Sequence, residues 1–213
     1  MQPRRIAREL ALLSLSQLPA KAEPPSDQML SELLLAATRT LAAEARDHLE
    51  AASAELKQSS DRLLLSTLGS ADLESSRAML QEVIEMAQAA INRTGNALDL
   101  PEWVQLTDRE EVRKFGGRLV LQVSNNRERI DRTLNDVMVD WQLHRVPRLD
   151  QDILRLAAAE ILFLGTPEQV AINEAVELAN RYSDEEGRRF INGVLRRLST
   201  MLGKAARAAR PSS

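Results

Sequence analysis

Apolar residues recur every three or four positions along most of this 213-residue chain, and that period limits what it can fold into. Leu30, Leu34, Ala37, Leu41, Ala45, Leu49, Ala52 and Leu56 mark it over 27–59; Leu73, Leu80, Val83, Ala87 and Ile91 mark it over 72–94. No stretch alternates with the two-residue period of a strand. The pattern predicts an all-α protein, and composition agrees: 34 Leu and 28 Ala stand against six aromatic residues. A β-sandwich or barrel needs more β-branched and aromatic residues. The same poverty in rings excludes an RNA platform that stacks several bases on an aromatic sheet.

The chain divides at its breakers. A short amphipathic helix is expected over 4–18, with Ile6, Leu10, Leu13 and Leu18 near one face and Arg4, Arg5 and Arg8 mostly off it. Pro19 to Pro25 ends it. The helix over 27–59 takes Asp27 as its N-cap, and the helix over 72–94 stops at Gly95. These two pair as an antiparallel hairpin, and Leu98 to Leu106, with Pro101, is a linker. Thr107 opens a further helix, with Glu110 completing a capping box. Its apolar face runs Val112, Phe115, Leu119, Val123, Ile130, Leu134, Val137 and Trp141. That length predicts a break near Asn125–Asn126 or Asn135–Asp136, and Gly116–Gly117 weakens the helix or permits close packing. After Pro147, a helix over Leu149 to Leu164 closes at Gly165. Thr166, Pro167 and Gln169 start the next, which runs to about Tyr182. Ser183 to Gly187 is a loop; Phe190, Val194, Leu195, Leu198 and Leu202 mark the last helix, and the chain frays beyond Gly203.

Charge is segregated. Residues 21–106 carry 7 basic and 14 acidic side chains, whereas the remainder carries 21 and 17. Residues 187–213 hold seven Arg or Lys and no acid, and Arg4, Arg5 and Arg8 sit at the other end. Basic ends around an acidic middle fit a polyanion partner, and equally fit solvated helix faces. With no cysteine, disulfides, Cys-based zinc sites and Cys nucleophiles are excluded, which suits a reducing compartment. No apolar run is long enough to span a membrane, and Arg8, Glu9 and Gln17 interrupt the only stretch resembling a secretory leader. His48 and His144 fall in different segments and are expected to be surface or packing residues. There is no phosphate loop, metal-spaced cluster or nucleophile elbow. No catalysis and no cofactor are expected.

Two stretches are more specific. Arg4-Arg5-Ile6-Ala7-Arg8-Glu9-Leu10-Ala11 opens the first helix. Val170-Ala171-Ile172-Asn173-Glu174-Ala175-Val176-Glu177-Leu178-Ala179 is followed by Phe190-Ile191-Asn192-Gly193-Val194-Leu195. Together with Asp152-Ile153-Leu154-Arg155-Leu156-Ala157 and Glu160, they resemble the NusB family of transcription antitermination factors. The resemblance is specific over 147–198 and rests on helical pattern over 107–146. It implies a fold of two small helical subdomains: residues 1–213 as one domain, 21–106 as an enlarged acidic hairpin inserted after the first helix, 147–203 as the C-terminal subdomain and 204–213 as a basic tail.

The resemblance further implies a cytoplasmic, non-enzymatic protein. It would bind boxA-like single-stranded RNA of ribosomal RNA transcripts with NusE, a small-subunit ribosomal protein, and join RNA polymerase in an antitermination complex. By the same resemblance, Arg4, Arg5 and Arg8 would hold RNA phosphates, Phe190 beside Arg188 and Arg189 would stack a base, and Glu186 would accept from a base amino group. The residues themselves also allow Phe190 a place in the core and Glu186 a plain surface role. Val170, Ala171, Ala175 and Leu178 are expected in the core, Asn173 as a structural hydrogen-bonding residue at the helix start, and Asn192-Gly193 at a close helix approach. Family members often have Tyr where this chain has Ser16, and Ser where it has Gly187. Related proteins occur as monomers and dimers, so a homodimer stays open. The rival function is a helical interaction adaptor dominated by the acidic insertion. A domain attached to an RNA methyltransferase is remote, because no catalytic domain is present.

Overall fold

The computed structural model describes residues 3–19, 23–69, 73–139 and 141–208. Among them the ordered elements are helices: α1 (Pro3–Gln17), α2 (Asp27–Gly69), α3 (Leu73–Thr107), α4 (Glu110–Asn125), α5 (Arg127–Val137), a 3-10 turn (Leu143–Arg145), α6 (Arg148–Phe163), α7 (Glu168–Tyr182) and α8 (Glu185–Ala208). The all-α expectation holds. Contacts group the chain into two units, residues 1–37 with 107–213, and residues 38–106.

In the first unit α1 is enclosed by its neighbours. It packs most extensively on α4 and next on α6, and Ile6, Ala7, Leu10, Ala11, Leu12 and Leu15 are all buried. The α4 contact is close because Gly116 lies against α1: a Cβ there would stand 3.0 Å from the Ala7 carbonyl oxygen. The expected role of the glycine pair in close packing is met at this point. Backbone does not yield as a side-chain tip does, so Gly116→Ala should cost about 1–3 kcal/mol. Gly193→Ala is the control. Its added methyl would meet only Arg197, at 3.7 Å, so thermal melts should show a lower midpoint for the first substitution and no loss for the second. That spacing also corrects the expected close approach at Asn192-Gly193.

The break after α4 falls at Asn126, as expected. Its side-chain amide donates to the Gln122 carbonyl at 3.0 Å, and its own carbonyl accepts from the Ile130 N–H at 2.9 Å, so one residue closes α4 and opens α5. α5 ends at Val137, and the Asn135 Oδ1 then accepts from the Leu143 N–H at 2.9 Å, which ties down the turn that follows. Trp141 therefore lies outside the helix, exposed, and not on the expected apolar face. Gly165 closes α6 at a φ of 65°, a conformation natural to glycine.

Several expected boundaries are corrected. The N-cap of α2 is Ser26, whose Oγ accepts from the Met29 N–H at 3.3 Å; Asp27 is the first helical residue. α2 runs on past residue 59 to Gly69, with the Ser59 hydroxyl donating to the Glu55 carbonyl inside the helix. α3 continues through Gly95 and Pro101, so Leu98 to Leu106 is helical and not a linker. The penalties of about 1 kcal/mol for a glycine and about 3 for a proline are absorbed by a helix already propagating. Thr107 ends α3, so no capping box forms with Glu110, and Arg109 precedes α4 without a side-chain cap. Thr166 likewise caps nothing: its hydroxyl donates to Glu160 at 3.0 Å, and Pro167 stands at the start of α7. Asp184 caps α8, its Oδ1 accepting from the Gly187 N–H at 2.7 Å, so Glu185 to Gly187 form the first helical turn and not a loop. The backbone stays helical beyond Gly203 to Ala208.

The second unit is a helical hairpin. Glu55 pairs with Arg93 at 2.8 Å and Arg62 pairs with Glu82, so α2 and α3 run antiparallel. This meets the expected pairing.

Candidate nucleic-acid interface

α8 begins beside the turn that carries Trp141. Phe190, half-buried one turn into α8, meets Trp141 edge to face, with ring centroids 6.5 Å apart and planes at 64°. Between them opens a cleft of about 450 Å³, floored by Val146, Pro147 and Leu149 and rimmed by Asp150, Ser183, Asp184 and Glu186. Tyr182 closes one side, and its hydroxyl donates to Glu9 of α1. Apolar rings with carboxylates at the rim suit a flat group that carries hydrogen-bond donors.

The rim is crowded at Gly187. A Cβ there would fall 2.1 Å from Ser183 Oγ and 2.8 Å from Asp150 Oδ2, so the space a serine would need is already filled. Burial raises the pKa of the Asp150 carboxyl; the Ser183 hydrogen bond opposes that shift, and the charge of Asp184 adds to it. Between the ordinary carboxylate value near about 3.9 and the raised value, the folded chain binds more protons than the unfolded chain. Stability from Asp150 is therefore full below the ordinary value and is lost as pH rises through the raised one. Asp150→Asn should gain on the parent protein as pH rises from acid toward neutral. Melting curves across that range check it, and a constant gap between the two contradicts it.

The expected site residues fall into two groups. Glu186 and Phe190 line the cleft, and Arg188 and Arg189 occupy the same turns of α8. Arg188 donates to Asn180 Oδ1 at 3.1 Å, and Arg189 pairs with Glu185. On α1, Arg4 is exposed, its guanidinium 5.3 Å from the Phe115 ring centroid, in a smaller hollow shared with Lys114 and Arg118. Arg5 pairs with Glu177 at 2.7 Å on the surface, where such pairs are worth about 0–1 kcal/mol and exchange readily for another anion.

Arg8 corrects the expectation of an exposed cation. It is 4% exposed and donates two hydrogen bonds to Glu160, at 2.6 and 2.8 Å; Glu174 lies 3.2 Å away. Its guanidinium is consumed inside the protein, holding α1 to α6 and α7. Val170, expected in the core, is exposed, while Ala171, Ala175 and Leu178 are buried as expected. Asn173 is exposed and accepts from Gln169 at 2.9 Å within α7, tying no loop. His144 is exposed, and His48 lies 3.7 Å from Glu44.

The sequence pattern does not place Trp141, Asp150 or Tyr182 at the cleft, which all three line. Trp141 continues the helical spacing from Val137, and nothing in that pattern marks it as surface. Among the described residues no group of three or more His, Asp or Glu could hold a metal ion.

Fold and cleft together define an all-α protein with an aromatic, acid-rimmed cleft and arginines nearby. A family profile described as the NusB family matches residues 74–200, taking in α3 to α7 and most of α8. The transcription antitermination protein NusB of Trichodesmium erythraeum is 55% identical over 196 residues, 92% of this chain and 95% of that one. The protein of the same name from Microcystis aeruginosa is 49% identical over 212 residues, covering 100% and 98%. That of Synechocystis sp. is 55% identical over 201 residues, covering 93% and 91%. A solved structure of T. maritima NusB aligns with 73% of this chain and 90% of its own at 26% identity and a TM-score of 0.43. This chain belongs to the NusB family, and its role is that of a transcription antitermination factor. At 92–100% coverage, these alignments run through most of residues 21–106, so the long hairpin lies within the length shared with such relatives. No described helix is long and apolar enough to cross a membrane.

Proposed function

We propose that this chain is a non-enzymatic RNA-binding component of a cytoplasmic antitermination complex. It holds boxA-like single-stranded RNA of ribosomal RNA transcripts together with NusE, joins RNA polymerase, and suppresses premature termination. The observation that carries this reading is the cleft where Phe190 and Trp141 meet at the start of basic α8. One base stacks on Phe190. Glu186 accepts from its amino group. Arg188 and Arg189 on α8, with Arg4 and Arg5 on α1, hold the phosphates. Arg8 contributes indirectly by fixing α1. NusE covers the adjacent RNA and helix face. Residues 21–106 are the enlarged insertion of a single NusB-like domain, with 147–203 as its C-terminal subdomain and 204–213 as a basic tail.

The test is binding of boxA-like and scrambled RNA, with and without NusE, across a salt series. The reading expects tighter boxA binding with NusE, weakening as salt rises; equal affinity for both RNAs in both mixtures rejects it. The rival, a helical adaptor acting through its acidic insertion, draws on the charge segregation. It expects partner binding to vanish on deletion of residues 27–94 and RNA binding to be indifferent to Arg4→Ala and Arg5→Ala.

A further inference from the structure

The hairpin of residues 38–106 has two unlike faces. Leu49, Leu56 and Leu63 repeat at seven-residue intervals on α2 and lie within roughly 40° of one another around its axis. Leu80, Ile84 and Ile91, spaced by four and then seven residues, lie as close together around the axis of α3. All six are 43–67% exposed, although they are large aliphatic side chains on well-formed helices. The cross-hairpin ion pairs Glu55–Arg93 and Arg62–Glu82 point well away from both rows, by roughly 100° or more. Those pairs also set the register. With 55 opposite 93 and 62 opposite 82, Leu56 falls beside Ile91 and Leu63 beside Ile84. For antiparallel helices, turning each row the same way from the shared contact puts both rows on one side. The hairpin thus carries salt bridges on one face and a continuous aliphatic seam on the other.

We propose that this seam is a homodimer interface, in which two copies of the hairpin pack face to face as a four-helix bundle. Three observations select a second copy. Seven-residue spacing on α2 is the repeat of a helix that packs along its length against another helix. Six large aliphatic side chains, each about half exposed, together with the exposed flanking Ala42, Ser53 and Ser60 make a strip on the order of the roughly 800 Å² per partner that a stable interface buries. The rim is of mixed sign, with Arg46, Lys57 and Arg77 beside Glu50, Asp61 and Glu85, all exposed. Such a rim complements its own two-fold copy, whereas the unit as a whole, with 6 basic and 11 acidic side chains, repels nucleic acid. The dimer does not depend on the RNA reading.

Sedimentation equilibrium of the full chain tests it. The mass should move from 23.7 kDa toward twice that value as concentration rises. Leu56→Lys with Ile91→Lys should raise the dissociation constant by roughly tenfold or more, with helicity by circular dichroism unchanged because both side chains start exposed. A parent protein that stays at single-chain mass overturns the proposal, as does a doubly substituted one that dimerises like the parent. A second readout fixes the face. The chain has no cysteine, so Ser60→Cys takes a single spin label beside the seam. A dipolar signal between copies, lost on adding the two lysines, supports the interface; dimers without that signal overturn it.

Discussion

Arg8→Ala should lower stability by about 3–5 kcal/mol, because it strands the buried Glu160 carboxylate and takes the cation away from the half-buried Glu174. Glu160 is as buried as Arg8, and receives from it two hydrogen bonds at 2.6 and 2.8 Å and a third from Thr166 at 3.0 Å. Glu174 stands 3.2 Å from the same guanidinium. Among the described residues, removing the cation leaves the Thr166 hydroxyl as the one donor to the Glu160 carboxylate, too little to hold a buried charge. For a chain of this size the midpoint should fall by roughly 10 °C. Replacing both partners, Arg8→Met with Glu160→Met, should recover part of that loss, since an apolar pair of similar volume is tolerated where a single buried charge is not. A surface arginine that served only as an RNA ligand would change stability by no more than about 0.5 kcal/mol. Thermal melts of the single and double variants separate the two roles.

Phe190→Ala should weaken RNA binding by about 1–3 kcal/mol, the worth of one base stacked on an aromatic ring, or roughly five- to 150-fold in Kd. The ring is half-buried, so part of it also packs against the core, and some loss of stability accompanies the substitution. The two effects are separable. Phe190→Tyr keeps a stacking ring and should bind nearly as the parent does. Phe190→Leu keeps apolar packing without the π-face and should bind as poorly as Phe190→Ala. Trp141→Ala should weaken binding as well, because the edge-to-face contact at 6.5 Å holds the Phe190 ring in place. If Phe190 is only a core residue, affinity measured on the folded fraction will be equal for all of these variants.

What was legible in the sequence follows from how local each signal is. The helical class, the break at Asn125–Asn126 and the end of α6 at Gly165 depend on spacing and on single residues with strong backbone preferences, and each appears where expected. The helix caps were less legible. Thr107 and Thr166 have the right neighbours for capping boxes, yet one is taken up by a preceding helix and the other by Glu160. Gly95 and Pro101 failed as stops because local penalties were outweighed by continuation of α3. The site was legible only where the chain keeps its parts together, as in Glu186, Arg188, Arg189 and Phe190 on one helix. Trp141 and Asp150 reach the same cleft from other elements. Arg8 is the sharpest case: its position beside Arg4 and Arg5 suggests a shared role, but one helical turn carries it inward onto a carboxylate 152 positions away.

The central claim is that RNA lies on the first unit, along α1 and the Phe190 cleft, and not on the acidic hairpin. Photocrosslinking of boxA-like RNA to the full chain with NusE, followed by mapping of the crosslinked peptides, tests it most directly. Crosslinks at Phe190 and Trp141, with peptides bearing Arg4 and Arg5 protected from modification by the RNA, are the predicted result. Crosslinks confined to residues 38–106 would contradict it.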